Sequence, residues 1–282
     1  MTYLDPNITI NVDVTNPGQF FACCGLLELA DRLWPGAEGW FEGTEFRIAC
    51  ARGLGELLSA FAIADFRSSL TVDELRRLGT LLSKEKAALT RVEVEQKNRL
   101  QEMWKLERLR LSEPFGLWLD WWRDSAGNRT AMKTWAAKQM VAEMVARMFA
   151  LVRKQVSVQT DHVTDLFSET KDDSLPFNFD SDLCRTGAAR DTGFSADTLQ
   201  LKSSYRPLLE LLAFVAFQRF QPREVGGSFT YCTWRAPLPP SVAAGAASGA
   251  IAPVAEPRFS FSLFNRTKYM KAFLPANPFQ GA

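Results

Sequence analysis

A chain of 282 residues with 46% apolar and 12% aromatic content can bury a sizeable core, which excludes a globally disordered protein. A formal net charge of +1 excludes bulk attraction to polyanions, so any nucleic-acid surface must be a local basic patch offset by acids elsewhere. The start, MTYLDPNITINVDV, lacks a basic leader followed by an apolar run; the longest apolar stretch, Leu208 to Phe217, contains Glu210 and is too short for a bilayer, so a cytoplasmic protein is expected.

Ile8 to Val14 alternates apolar and polar residues, the pattern of a half-buried strand. Asn16-Pro17-Gly18 breaks it and opens a helix from about Gln19 to Trp34, ended by Pro35-Gly36. Trp40-Phe41 and Phe46 to Ala49 suggest a hairpin around Glu42-Gly43-Thr44. A further helix carries Leu54, Leu57, Leu58, Phe61 and Phe66 on one face. The segment 71–111 is rich in Glu, Lys, Arg, Gln and Leu and reads as one long helix or two, inserted as a partner to the rest.

Phe115 to Trp122 returns to strand character, and a turn at Ser125 to Asn128 leads into a helix from about Thr130 to Arg153. Residues 161–182 are acidic and rich in turn formers, and 185–198 read as a loop. Arg206 to Phe220 is a strongly apolar helix, Phe229 to Arg235 a strand, and the Ala-, Pro-, Gly- and Ser-rich tract 237–257 a flexible connection. The last strand is Arg258 to Phe264. Strands at both ends with helices between them predict a single α+β domain over 1–282, with a mixed, mainly antiparallel sheet, packed helices and the long helical insertion 71–111.

The single His162 lies in an acidic stretch without a Ser or Cys partner placed by sequence, and no phosphate-loop, nucleophile-elbow or zinc-protease pattern occurs. One His and five scattered cysteines (Cys23, Cys24, Cys50, Cys184 and Cys232) do not supply four convergent zinc ligands, so free thiols are expected. Asp180 and Asp182 offer paired carboxylates, but a two-metal nuclease would need further ones such as Asp120, Glu169 or Asp173, whose spacing does not demand it. A capping role for Asp180 is the simpler reading. No metal, cofactor or catalytic centre is expected.

Three patches point to nucleic acid. The C-terminal run Asn265 to Phe273 interleaves Arg266, Lys268 and Lys271 with aromatics. Cations contact phosphates and rings stack on bases, while an edge strand with its Phe residues inward is the alternative. In the helix predicted after Gly127, Lys133 diverges from Trp135, but Trp135, Lys138 and Gln139 share a face, with Arg129 and Arg147 adding charge; a plain basic outer face is the alternative. Arg185 and Arg190 flank Thr186-Gly187, where a glycine permits close approach to phosphate, unless these arginines pair with Asp182 or Asp191. Arg235 closes the predicted strand 229–235 and is a further candidate contact. The Trp118, Trp121, Trp122 cluster reads as core before it reads as a stacking platform.

Four segments, NVDVTNPGQFFACCGLLELADRLWPGAEGWF, LDWWRD, KTWAAKQ and PFNFDSDLCRTGAARDTGFSADT, together resemble a CRISPR-associated family of the type I-G (formerly I-U) systems, a large-subunit-like component of their effector complexes. The similarity spans most of residues 8–272 and depends on the order of the motifs. It implies a Cascade-like surveillance complex built on CRISPR RNA (crRNA), whose large subunit contacts the protospacer-adjacent motif, helps open target DNA and receives the helicase-nuclease without cleaving anything itself. It further implies that the Lys and Arg residues of KTWAAKQ and DLCRTGAARDTGFSAD contact nucleic acid. A purely structural assembly subunit, holding its neighbours through 71–111, and a metal-dependent nuclease using Asp180 and Asp182 are the competing readings.

Overall fold

The computed structural model describes residues 5–123, 130–135, 139–158, 167–173, 176–186, 203–251, 257–265 and 271–279. Strand β1 (Ile8–Asn11) buries Ile8 and Ile10 and exposes Thr9 and Asn11, as its alternation requires. Asn16 then caps α1 (Pro17–Leu33), with Pro17 at the first helical position, where its missing N–H costs nothing. Helix α1 is apolar on nearly every side and lies inside the molecule. Its one fully buried acid, Glu28, is held by Arg32 at 2.7 Å and Arg219 at 2.5 Å. Strands β2 (Glu38–Glu42) and β3 (Glu45–Ala49) join through Gly43, whose φ of +60° favours glycine. Together they form the antiparallel sheet β1-β3-β2.

Helix α2 (Leu54–Ile63) stops at the extended Ala64, so Phe66 belongs to β4 (Phe66–Ser68) instead of the predicted helical face. Segment 71–111 resolves into two helices, α3 (Val72–Ser83) and α4 (Arg91–Lys105). Each is opened by a capping box, Thr71 with Glu74 and Thr90 with Glu93. Its last residues form β5 (Leu109–Leu111), which pairs with β4 and with β6 (Leu117–Leu119). The helix predicted from Thr130 begins only at α5 (Val141–Val158).

Strand β7 (Lys171–Asp173), helix α6 (Ser181–Thr186) and strand β8 (Ser203–Tyr205) lead to α7 (Pro207–Ala216), buried along its whole length. Helices α1 and α7 pack so closely that a Cβ on Gly25 would stand 2.1 Å from the Leu212 carbonyl oxygen. Next come β9 (Arg223–Val225) and β10 (Ser228–Cys232). The tract expected to be a flexible connection contains α8 (Pro240–Ala247), which buries Ala243, Ala246 and Ala247 and packs on α1 and β2. A proline at its first position starts it, and small side chains let it approach closely. The chain closes with β11 (Arg258–Phe261), β12 (Leu263–Asn265), β13 (Lys271–Phe273) and β14 (Asn277–Pro278). The sheet β14-β11-β10-β9 faces α1.

The architecture is α+β, with eight α-helices and five small antiparallel sheets among the described residues. Aromatic rings fill its centre: Phe20 stacks on Tyr231 at 4.3 Å and on Phe41 at 5.3 Å, and meets Trp234 edge-on at 6.2 Å. Such pairs add about 0.5–1.5 kcal/mol each beyond the area they bury. Among the described residues no helix is long and apolar enough to cross a membrane.

Candidate nucleic-acid interface

A buried polar junction fixes the start of α6. Asn16 Oδ1 accepts from the backbone N–H groups of Gly18 (3.0 Å) and Gln19 (3.4 Å), the first turn of α1, and also from Ser181 (3.2 Å), the first residue of α6. One side chain thus caps two helices. Asn16 Nδ2 donates to Asp180 Oδ1 at 2.8 Å, and Arg206 donates to Asp180 Oδ2 at 2.7 Å. Glu210, on α7, is fully buried; its Oε1 accepts from the amides of Phe179 (3.0 Å) and Asp180 (3.4 Å). Burial first, and the nearby Asp180 carboxylate second, push the Glu210 carboxyl up to about 8. Gly18 lets this strap pass, since a Cβ there would lie 2.6 Å from the Phe179 carbonyl oxygen. Asn178, at φ 63°, turns the strap between the inward rings of Phe177 and Phe179.

Strand β13 collects three segments that lie far apart in sequence. The Lys271 N–H donates to the Thr134 carbonyl at 2.8 Å, and the Phe273 N–H donates to the Asn178 carbonyl at 3.0 Å. Helix α6 packs against the same strand. The basic segments around residues 133, 185 and 271 therefore meet on one strand. Lys271 is exposed and makes no ion pair among the described residues. Lys133 is half-buried next to Thr134, Gln139 is half-buried just ahead of α5, and Arg185 lies in the last turn of α6. Arg129, Lys138, Arg190, Arg266 and Lys268 lie outside the described residues, as does His162.

Two expectations are corrected. Residues 130–135 form turn, bend and irregular backbone and 139–140 precede α5, so Trp135 and Gln139 do not share a helical face. Trp135 is 1% exposed and packs edge-on against Trp121 at 6.4 Å and Phe177 at 5.6 Å, which makes it core and removes it from any stacking surface. Arg235 is exposed just beyond buried Trp234, and among the described residues nothing bonds it to β13.

The tryptophan cluster divides. Trp122 is buried, whereas Trp118 is 46% exposed, with the guanidinium groups of Arg108 and Arg110 at 4.9 and 5.6 Å from its ring. The Leu-Trp-Leu alternation of β6 carries that signal: the leucines turn inward, so the tryptophan turns outward. Asp120 and Glu113 pair with these two arginines and neutralise the patch.

Both Asp180 oxygens are engaged by Asn16 and Arg206, as a structural role demands. Among the described residues no group of three or more His, Cys, Asp or Glu side chains is arranged to hold a metal ion. Cys23, Cys24, Cys50 and Cys232 are free thiols, and burial raises the first two well above the usual thiol range. Compared with family models, with curated proteins and with solved structures, the chain matches none.

Proposed function

We propose that this chain is a non-catalytic, cytoplasmic subunit of a type I-G Cascade-like, RNA-guided surveillance complex. In it the chain binds crRNA or target DNA, contacts the backbone subunits, and takes part in motif recognition, duplex opening and recruitment of the helicase-nuclease. The observation that carries nucleic-acid binding is the meeting of three basic segments at β13, with Lys271 exposed and unpaired among the described residues. In a protein of near-zero net charge, a polyanion is held by such a local cluster. Guide pairing supplies the sequence specificity in such complexes, so the protein needs mainly phosphate contacts. Val72 and Val92, on α3 and α4, are 69% and 73% exposed and offer apolar surface to a neighbouring subunit. The engagement of both Asp180 oxygens supports the non-catalytic reading.

The test measures binding of crRNA and of motif-containing duplex DNA across a salt series, for the chain alone and for the complex assembled with its partner subunits. Lys133→Ala with Lys271→Ala should weaken binding and flatten the log–log salt slope by roughly 1.4–1.8, the loss of about two phosphate contacts. An unchanged affinity and slope would remove this surface from the reading. Mg²⁺-dependent cleavage of labelled DNA or RNA that disappears in Asp180→Asn would overturn the non-catalytic assignment.

A further inference from the structure

The sheet β14-β11-β10-β9 has two unlike faces. Phe229, Tyr231, Phe259 and Phe261 pack inward, paired across strands as Phe229 with Phe261 and Tyr231 with Phe259. The same register places Arg223 opposite Thr230 and Arg258 opposite Cys232 on the second face. Phe279 joins that face through its N–H, which donates to the Arg258 carbonyl at 2.8 Å. The end of α8 covers part of it, and between them lies a cleft of about 160 Å³ lined by Arg223, Val225, Thr230, Ser248, Arg258 and Phe279.

The cleft is built of two exposed cations and an aromatic ring, with no acid in its lining. Neither arginine forms an ion pair among the described residues, which sets this face apart from Arg108 and Arg110, each held by a carboxylate. The Arg258 guanidinium sits 5.8 Å from the ring centroid of Phe279, which is itself 37% exposed. On its other side the guanidinium runs past Gly249, where φ is +75° and an added Cβ would approach it to 3.3 Å. The hydroxyls of Thr230 and Ser248 donate to the carbonyls of Arg223 and Gly245, so the guanidiniums are the donors that face the cleft. Two guanidiniums with no carboxylate paired to them among the described residues call for a phosphate, and the exposed ring against one of them calls for a planar partner.

We propose that this cleft is a second nucleic-acid contact, in which Arg223 and Arg258 hold backbone phosphates of a single strand while a base stacks on Phe279. The inference rests on the nucleic-acid reading above, but on residues separate from β13.

The test uses the full-length chain with a fluorescently labelled oligo(dT) and oligo(U), titrated at several salt concentrations, with unlabelled polyphosphate as a competitor. Arg223→Ala with Arg258→Ala should lower affinity about tenfold or more and flatten the salt slope by about 1.4, the value for two single-strand phosphate contacts. Arg258→Lys should keep the slope, and Phe279→Ala should cost roughly tenfold in affinity with the slope unchanged. Arg76→Ala, on the exposed face of α3, should do nothing. All these side chains are exposed, so a matching circular-dichroism melt verifies that the fold is kept. Wild-type affinity and slope in the double variant would overturn the inference. So would indifference to Phe279→Ala together with polyphosphate binding as tight as that of the oligonucleotides. Binding lost in the Lys133/Lys271 variant but kept in the Arg223/Arg258 variant defeats this cleft alone. A wild-type chain and complex that bind no nucleic acid defeat the proposed function and the cleft with it.

Discussion

Asn16 and Asp180, separated by 164 positions in the chain, share a buried hydrogen bond of 2.8 Å from Asn16 Nδ2 to Asp180 Oδ1. The bond ties the first turn of α1 to the first turn of α6, and so ties the central helix to the candidate interface. An amide suits this position because it accepts from three backbone N–H groups with one atom and donates to a carboxylate with the other.

Asn16→Ala removes a helix cap and strips a buried carboxylate of one donor. A loss of about 2–4 kcal/mol is expected, read as a lowered urea midpoint. Asn16→Asp keeps the capping oxygen but sets a second carboxylate against Asp180. It should be worse than alanine at neutral pH and should recover in acid, where one carboxyl is protonated. An Asn16→Asp protein as stable as wild type at neutral pH would refute this account of the junction.

Two glycine substitutions should move stability in opposite directions. Gly25→Ala drives a methyl to 2.1 Å from the Leu212 carbonyl, so α1 and α7 must separate, at a cost of at least about 3 kcal/mol. Gly55, exposed in α2, has nothing within 4 Å of its added Cβ, and Gly55→Ala should stabilise by about 0.5–1 kcal/mol. Paired thermal melts of the two variants check both signs.

Local pattern was enough to read β1, α1, the Gly43 hairpin and α7, because each sits where its own periodicity says it should. The stretch after Thr130 departs from its helical pattern for a tertiary reason. Its Ala, Met, Lys and Gln favour helix, yet the Thr134 carbonyl is taken by the Lys271 amide and the Trp135 ring by Trp121 and Phe177. Composition alone reads the α8 tract as flexible, while the proline at its start and the alanines that let it pack are both in the sequence. The basic segments were legible one by one. Their meeting on β13, and the placing of Arg223 and Arg258 on one sheet face either side of β10, depend on long-range register that no local pattern encodes.

Trp135 was a candidate base-stacking residue, and its burial makes a different prediction. Trp135→Ala should cost about 3–5 kcal/mol through a cavity beside Trp121 and Phe177. Trp135→Phe should recover much of that loss and, where folded, bind nucleic acid with wild-type affinity. Melts and binding isotherms on the same samples separate the two effects; a fully folded Trp135→Phe protein with weakened binding would return this residue to the interface.

Glu210 gives the chain a pH dependence with a definite sign. Its carboxyl is raised from an ordinary value of 4.5 to about 8, and its Oε2 has no hydrogen-bond partner among the described residues, which suits a protonated oxygen. A carboxyl raised on folding means the folded chain holds the extra proton between those two values. The stability it contributes is complete below about pH 4.5 and is lost progressively as the pH climbs to about 8. Glu210→Gln keeps an acceptor for the Phe179 and Asp180 amides while never ionising. Its stability relative to wild type should therefore rise with pH across that window, by a few kcal/mol at most, and level off above it. Urea midpoints for both proteins from about pH 4 to about pH 9 give the curve. Parallel curves would mean that Glu210 is ionised in the folded protein throughout.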